Sequence, residues 1–243
     1  MSRQISETRQ LRNYCFHGLN LQVQCSAALA ECLDSGFRLV PSGERHGETL
    51  FFDFHSVADA TQHRVQRPQG KGKAFYDLPS GEACYFEAGD QVYLGFGDGV
   101  RALGRVGLGG ASISVVEPGP VNLFMASHLI LTILLVEMLK RRGCYSMHAA
   151  GFSKDGNAIL IPGTSGAGKS TLSIALLRGG FGFLRDDMTF LRRGPEGFEV
   201  LGFPEDVDVS DRTIGFFSEL EFLGRSPKTA GFSKKQVRAD QVY

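Results

Sequence analysis

The stretch LIPGTSGAGKSTLSIALL, residues 160–177, decides how the second half of the chain is read. A short apolar strand (158–161) runs into Gly163-Thr164-Ser165-Gly166-Ala167-Gly168-Lys169-Ser170-Thr171, and a helix follows. This is G-x-x-x-x-G-K-S in the strand–loop–helix context that a phosphate-binding loop requires. Its glycines permit positive φ angles and let successive backbone N–H groups close on phosphate oxygens. The N-terminus of the helix adds partial positive charge. Lys169 would reach the β- and γ-phosphates, and the Ser170 hydroxyl would bind Mg²⁺. A nucleoside triphosphate is the expected ligand of residues 163–171.

The flanks extend this reading. The helix beginning at Lys169 is expected to present Leu172, Ala175 and Leu176 on one face and to stop at Gly179-Gly180. FGFL (181–184) then reads as a short strand ending at Arg185-Asp186-Asp187. An acid at the end of an apolar strand is how phosphate-loop enzymes present a carboxylate to metal or nucleophile. Adjacent strand residues point to opposite faces, so Asp186 and Asp187 should have different tasks unless the backbone bends there. The plain alternative is that the pair caps a turn. Upstream, MHAAGFS and NAILIP flank Lys154-Asp155-Gly156, the pattern of a hairpin with a primed turn. An antiparallel hairpin, not a βαβ crossover, is therefore expected to feed the loop. His148 opens that hairpin. A histidine beside apolar residues is more often structural, but here the strand pair could carry it alongside the acids and the γ-phosphate.

The preceding residues read differently. Residues 14–117 contain the runs FRLVP, TLFFDFHS, KAFYDLPSG, ACYFEAGD, QVYLGFGDG and ASISVVEPG, β-branched or aromatic and closed by Gly, Pro or Asp. They predict an antiparallel sheet or small barrel. RPQGKGK (67–73) reads as a solvated loop, and GRVGLGG (104–110) is set aside as a dinucleotide fingerprint because no helix follows it. VNLFMASHLILTILLVEMLKRRG (121–143) is too interrupted by Asn122, His128 and Glu137 for a spanning helix of about 20 apolar residues, and is expected to be a buried core helix ending in basic residues and Gly143. After residue 187, MTFLRR and FEVLGFP form a second hairpin around GPEG, and the tail from Ser210 carries one helix capped by Ser210 or Asp211. The organisation expected is thus a β-rich region over 1–120 and a phosphate-loop domain over 121–243, with its core at 145–210.

Composition narrows the classes of function. The chain has 243 residues, with 26 basic and 26 acidic side chains, so it has no broad positive field for nucleic acid. Five cysteines without a C-x-x-C pair suggest reduced thiols in a cytoplasmic protein rather than a disulfide framework or zinc site. His17, His46, His55 and His63 lack ligand spacing and are expected at the surface. The polar N-terminus MSRQISETRQLRNY has no signal-peptide core. No membrane association is expected, and homo-oligomerisation is left open.

Residues 147–191, MHAAGFSKDGNAILIPGTSGAGKSTLSIALLRGGFGFLRDDMTFL, resemble the catalytic domain of HPr kinase/phosphorylase and its HPr-kinase-related relatives. In that family a hairpin histidine, a phosphate loop and an Asp-Asp pair occur in this order and at this spacing. The resemblance implies an α/β phosphate-loop kinase fold close to that of phosphoenolpyruvate carboxykinase. It also implies ATP and Mg²⁺ as cofactors and the serine hydroxyl of a small protein or peptide as acceptor. Carried over by position, Lys169 and Ser170 hold phosphates and metal, Asp187 accepts the proton, and His148 lies in the site. Asp186 is assigned to the Mg²⁺ shell with Ser170. Arg185 stands where the family usually has a small residue. Two other classes remain open: a nucleotide-binding regulatory module without transfer, and phosphate transfer to a small molecule.

Overall fold

The structure is a computed structural model describing residues 9–38, 40–41, 47–78, 81–117, 119–164, 166–186, 188–203, 206–225 and 234–242. The chain is mixed α/β and divides into two units, Met1–Arg142 and Gly143–Tyr243. The division falls after the core helix, so residues 121–142 belong with the first unit and not with the phosphate-loop half as expected. The reason is packing: the helix lies against strands and a helix of the first unit.

That unit is built on one eight-stranded sheet. Its strands are β1 (Gln10–Phe16), β2 (Leu19–Cys25), β3 (Glu48–Val57), β4 (Lys73–Leu78), β5 (Gly81–Ala88), β6 (Gln91–Phe96), β7 (Val100–Arg105) and β8 (Gly110–Val116), in the order β1-β2-β3-β8-β7-β6-β5-β4. The sheet is open and mixed, which corrects the expected antiparallel sheet or barrel: β2, β3 and β8 run parallel. A parallel pair needs a crossover, and α1 (Ala27–Gly36) supplies the one between β2 and β3. Ser26 caps α1 by accepting from the Leu29 N–H, and Leu29, Ala30 and Leu33 form its buried face. FRLVP, expected as a strand, follows this helix as a turn at Phe37-Arg38 and irregular chain at Val40-Pro41, with Leu39 outside the described residues. His63 is buried, its Nε2 2.7 Å from the Asp98 carbonyl, against its expected surface position; His46 lies outside the described residues. GRVGLGG spans the tight link between β7 and β8, with no helix after it.

Alternation places Leu21 and Val23 of β2, Leu50, Phe52 and Phe54 of β3, and Ile113 of β8 inside. A continuous helix crosses this unit as α2 (Pro120–Phe124), a π-helical stretch (Met125–Ile130) and α3 (Leu131–Lys140). It packs where β7 has no side chain: a Cβ at Gly104 would sit 2.7 Å from Cδ2 of Leu134. By length and composition residues 120–140 could cross a membrane (mean hydropathy 1.8), and 44% of the most apolar window is buried within the structure. No other helix among the described residues is long and apolar enough to do so.

Among its described residues the second unit has three small sheets. One has the order β11-β10-β12, with β10 (Ala149–Lys154), β11 (Asn157–Pro162) and β12 (Gly182–Arg185). A second joins β14 (Gly197–Leu201), β13 (Thr189–Gly194) and β9 (Cys144–Met147). The third pairs β15 (Val207–Val209) with β16 (Lys235–Val237), a pairing the sequence pattern did not suggest. The β10–β11 turn has positive φ at both Asp155 (51°) and Gly156 (77°), the primed geometry expected for a two-residue hairpin. The GPEG hairpin also forms, as β13 and β14.

Helix α4 (Lys169–Arg178) buries Ser173, Ile174 and Leu177, not the expected Leu172, Ala175 and Leu176. Ile174 and Leu177 join a core with Phe152, Val207, Val209, Ile214, Leu220 and Val237. The apolar residues of this short helix fall on both sides, so the pattern alone left the buried face ambiguous. Tertiary packing against the segment after β15 selects it.

Candidate functional site

Strand pairing alone brings the expected site residues together. Both β11 and β12 pair antiparallel with β10, so they run in the same direction and end at the edge where β10 begins. Ala149 at the start of β10 pairs with Pro162, and Gly151 pairs with Arg185. Hence His148, the loop from Gly163 and Asp186 all leave the sheet at one edge. A Cβ at Gly151 would lie 3.0 Å from Oγ1 of Thr189, and that hydroxyl donates to the Ala149 carbonyl at 2.7 Å. This contact holds β13 against the strand that follows His148.

The loop has the backbone its glycines anticipate. Gly166 and Gly168 adopt φ of 81° and 90°, and an added Cβ would meet nothing within 4 Å at either, so both border open space. Gly168 is the N-cap of α4 and offers no side chain to the first N–H groups of the helix. Those groups lack intrahelical acceptors by helix geometry. Lys169 folds back over the loop: Nζ donates to the carbonyls of Gly163 (2.6 Å) and Thr164 (3.2 Å) and lies 3.4 Å from Nε2 of His148. Its stem passes over Gly163, where a Cβ would sit 3.5 Å from Cγ.

Asp186 is buried, with 6% of its surface exposed. Its Oδ1 lies 3.3 Å from the Ser173 hydroxyl, which is also 2.9 Å from the Lys169 carbonyl. Ser173 thus couples the acid to the first turn of α4. It was not singled out from sequence, although a polar residue on the buried face one turn after Lys169 was a usable signal. Ser165 and Asp187, both expected in the site, lie outside the described residues. Ser170 and Thr171 begin α4, and Thr171 Oγ1 is 3.3 Å from Oγ1 of Thr213.

These groups line one cleft of about 1090 Å³, which His148, Gly166, Lys169, Ser170 and Asp186 share with Thr213. Its other wall comes from Ser210 and α5 (Asp211–Ile214). Ser210 caps α5 as expected, accepting from the Thr213 N–H at 3.1 Å. The loop geometry and helix terminus suit an anion of several oxygens, and the Lys169 ammonium would add charge-assisted contacts. Ser170 and Asp186 supply oxygen donors of the kind a hard divalent cation prefers. The chain matches no family model and no curated protein.

Proposed function

We propose that the second unit is a phosphate-loop kinase domain of the HPr kinase and phosphoenolpyruvate carboxykinase type, transferring the γ-phosphoryl group of ATP to a serine hydroxyl on a small protein or peptide in the cytoplasm. The observation that carries the reading is the convergence of His148, the 163–171 loop and Asp186 at one edge of the β11-β10-β12 sheet. Chance would give the motif without this placement.

When bound, ATP·Mg²⁺ supplies the phosphoryl group and the metal that offsets its developing charge. Residues 163–171 hold the phosphates through backbone N–H groups, and Lys169 exchanges its loop carbonyls for phosphate oxygens. Ser170 and Asp186 hold the metal, with Ser173 steadying the acid. Asp187 takes the proton of the acceptor hydroxyl. The hydroxyl oxygen then bonds to the γ-phosphorus as the bond to the β–γ bridging oxygen breaks, and ADP departs. His148 beside Lys169 orients the ammonium and the transferred group. Positioning and electrostatics supply most of what such a transfer requires.

Incubation with ATP, Mg²⁺ and a library of serine-containing peptides tests this reading. Mg²⁺-dependent phosphoserine formation is expected. Nucleotide binding with neither hydrolysis nor transfer would leave a regulatory module, and transfer only to metabolites would move the acceptor to small molecules.

A further inference from the structure

We infer that Phe216, together with Arg212, Leu172 and Ala175, forms the platform that receives the base of the bound nucleotide; this rests on the reading of residues 163–171 as a phosphate loop. Two consecutive aromatics after α5 are treated in opposite ways. Both line the cleft, but Phe217 is buried in the core of the unit with 8% of its surface exposed, while Phe216 is 60% exposed. The backbone at both is fixed, because the Phe216 N–H donates to the Thr213 carbonyl (3.0 Å) and the Phe217 N–H to that of Ile214 (3.1 Å). The backbone that carries the Phe216 ring is therefore anchored beside the cleft.

The opposite wall carries matching apolar surface. Leu172, 45% exposed, and Ala175 lie on the side of α4 that its core contacts leave open, and both line the same cleft as the loop. The two walls are tied together by hydroxyls: Thr171 to Thr213 at 3.3 Å and Thr213 to Ser210 at 3.0 Å. The Arg212 guanidinium sits 5.9 Å from the Phe216 ring centroid, within the range of a cation–π contact. Ligand sites commonly span about 300–1,000 Å³. A cleft of about 1090 Å³ thus extends well past a phosphate group, and beyond the loop Leu172, Ala175 and Phe216 line it beside the charged Asp211, Arg212 and Lys234. A flat heterocycle is the part of a nucleotide that suits such walls. Stacking on an aromatic face tolerates any base, since every base has a π-face, so ATP and GTP should bind alike.

Calorimetric titration of wild type and Phe216→Ala with Mg²⁺·ATP and with Mg²⁺·tripolyphosphate tests the inference. Phe216→Ala should weaken ATP about tenfold, the lower part of the range for one base–aromatic stack, while tripolyphosphate affinity stays at the wild-type value. Phe216→Tyr should restore ATP affinity. An unchanged ATP affinity in Phe216→Ala overturns the platform, and so does an equal loss for both ligands. Wild-type protein that binds neither ligand overturns the phosphate-loop reading and this one with it. Wild-type binding of tripolyphosphate that Lys169→Ala abolishes keeps the loop and leaves the platform to be decided by Phe216 alone.

Discussion

The Ser173 hydroxyl lies 3.3 Å from Oδ1 of Asp186, linking the helix after the glycine-rich loop to the acid at the end of β12. Asp186 is buried, and the same Ser173 hydroxyl also lies 2.9 Å from the Lys169 carbonyl in the first turn of α4. In the proposed kinase the adjacent acids have distinct roles, Asp186 on the metal and Asp187 on the acceptor proton. Asp186→Asn should raise the Mg²⁺ concentration needed for half-maximal activity, because an amide is a poorer ligand for a hard cation. Asp187→Asn should lower kcat about 10²–10⁴-fold, the usual cost of losing positioned acid–base chemistry, with ATP·Mg²⁺ binding nearly intact. Mg²⁺ titrations and separate binding measurements on both variants check this, and the opposite pattern would reverse the roles.

The two sides of α4 should respond differently to truncation. Leu177 is fully buried, so Leu177→Ala should cost about 2–5 kcal/mol of stability. Leu172 is 45% exposed, and Leu172→Ala should stay within about 0.5 kcal/mol. Urea unfolding followed by circular dichroism measures both. A larger loss for Leu172→Ala than for Leu177→Ala would contradict the burial of the Ile174 and Leu177 face.

In the first unit, hydrogen bonds from the Arg12 guanidinium, and then from the Tyr14 hydroxyl, hold the Asp34 carboxyl below its ordinary value near 3.8. A depressed folded-state value contributes stability above the unfolded value, and that contribution is lost as pH falls through the depressed one. The pair is partly exposed, so the effect should be about 0.2–1 kcal/mol and should shrink with added salt. Unfolding curves of wild type and Asp34→Asn should therefore differ at neutral pH and converge below about pH 4. A constant difference down to pH 2 would contradict this.

Local chemistry was legible in the sequence wherever it was self-contained. The Asp155-Gly156 turn, the Ser210 cap, the GPEG hairpin and the strand–loop–helix around Lys169 follow from residues a few positions apart. What depended on distant partners was not legible. The parallel pairing of β2 with β3 requires α1, and its cap at Ser26 with Leu29 and Leu33 one turn apart was a signal passed over among β-rich runs. The buried face of α4 is chosen by Val207, Ile214 and Leu220, far along the chain. His63 is buried because the Asp98 carbonyl, 35 positions away, gives its ring a partner. Phe216 carries no motif at all, and only its exposure beside the cleft marks it.

The most direct test of the central claim is calorimetric titration of ATP·Mg²⁺ into wild-type protein and Lys169→Ala, with thermal unfolding as the control for folding. Lys169 opens α4 and its ammonium contacts loop carbonyls rather than core, so the variant should unfold close to the wild-type temperature. Removing a charged donor should weaken nucleotide binding by about 10–150-fold, equivalent to about 1.5–3 kcal/mol. Saturable ATP binding in wild type with that loss in the variant is the result predicted. Equal affinity in the two proteins, or no binding by wild type, would contradict the assignment of residues 163–171 to phosphate.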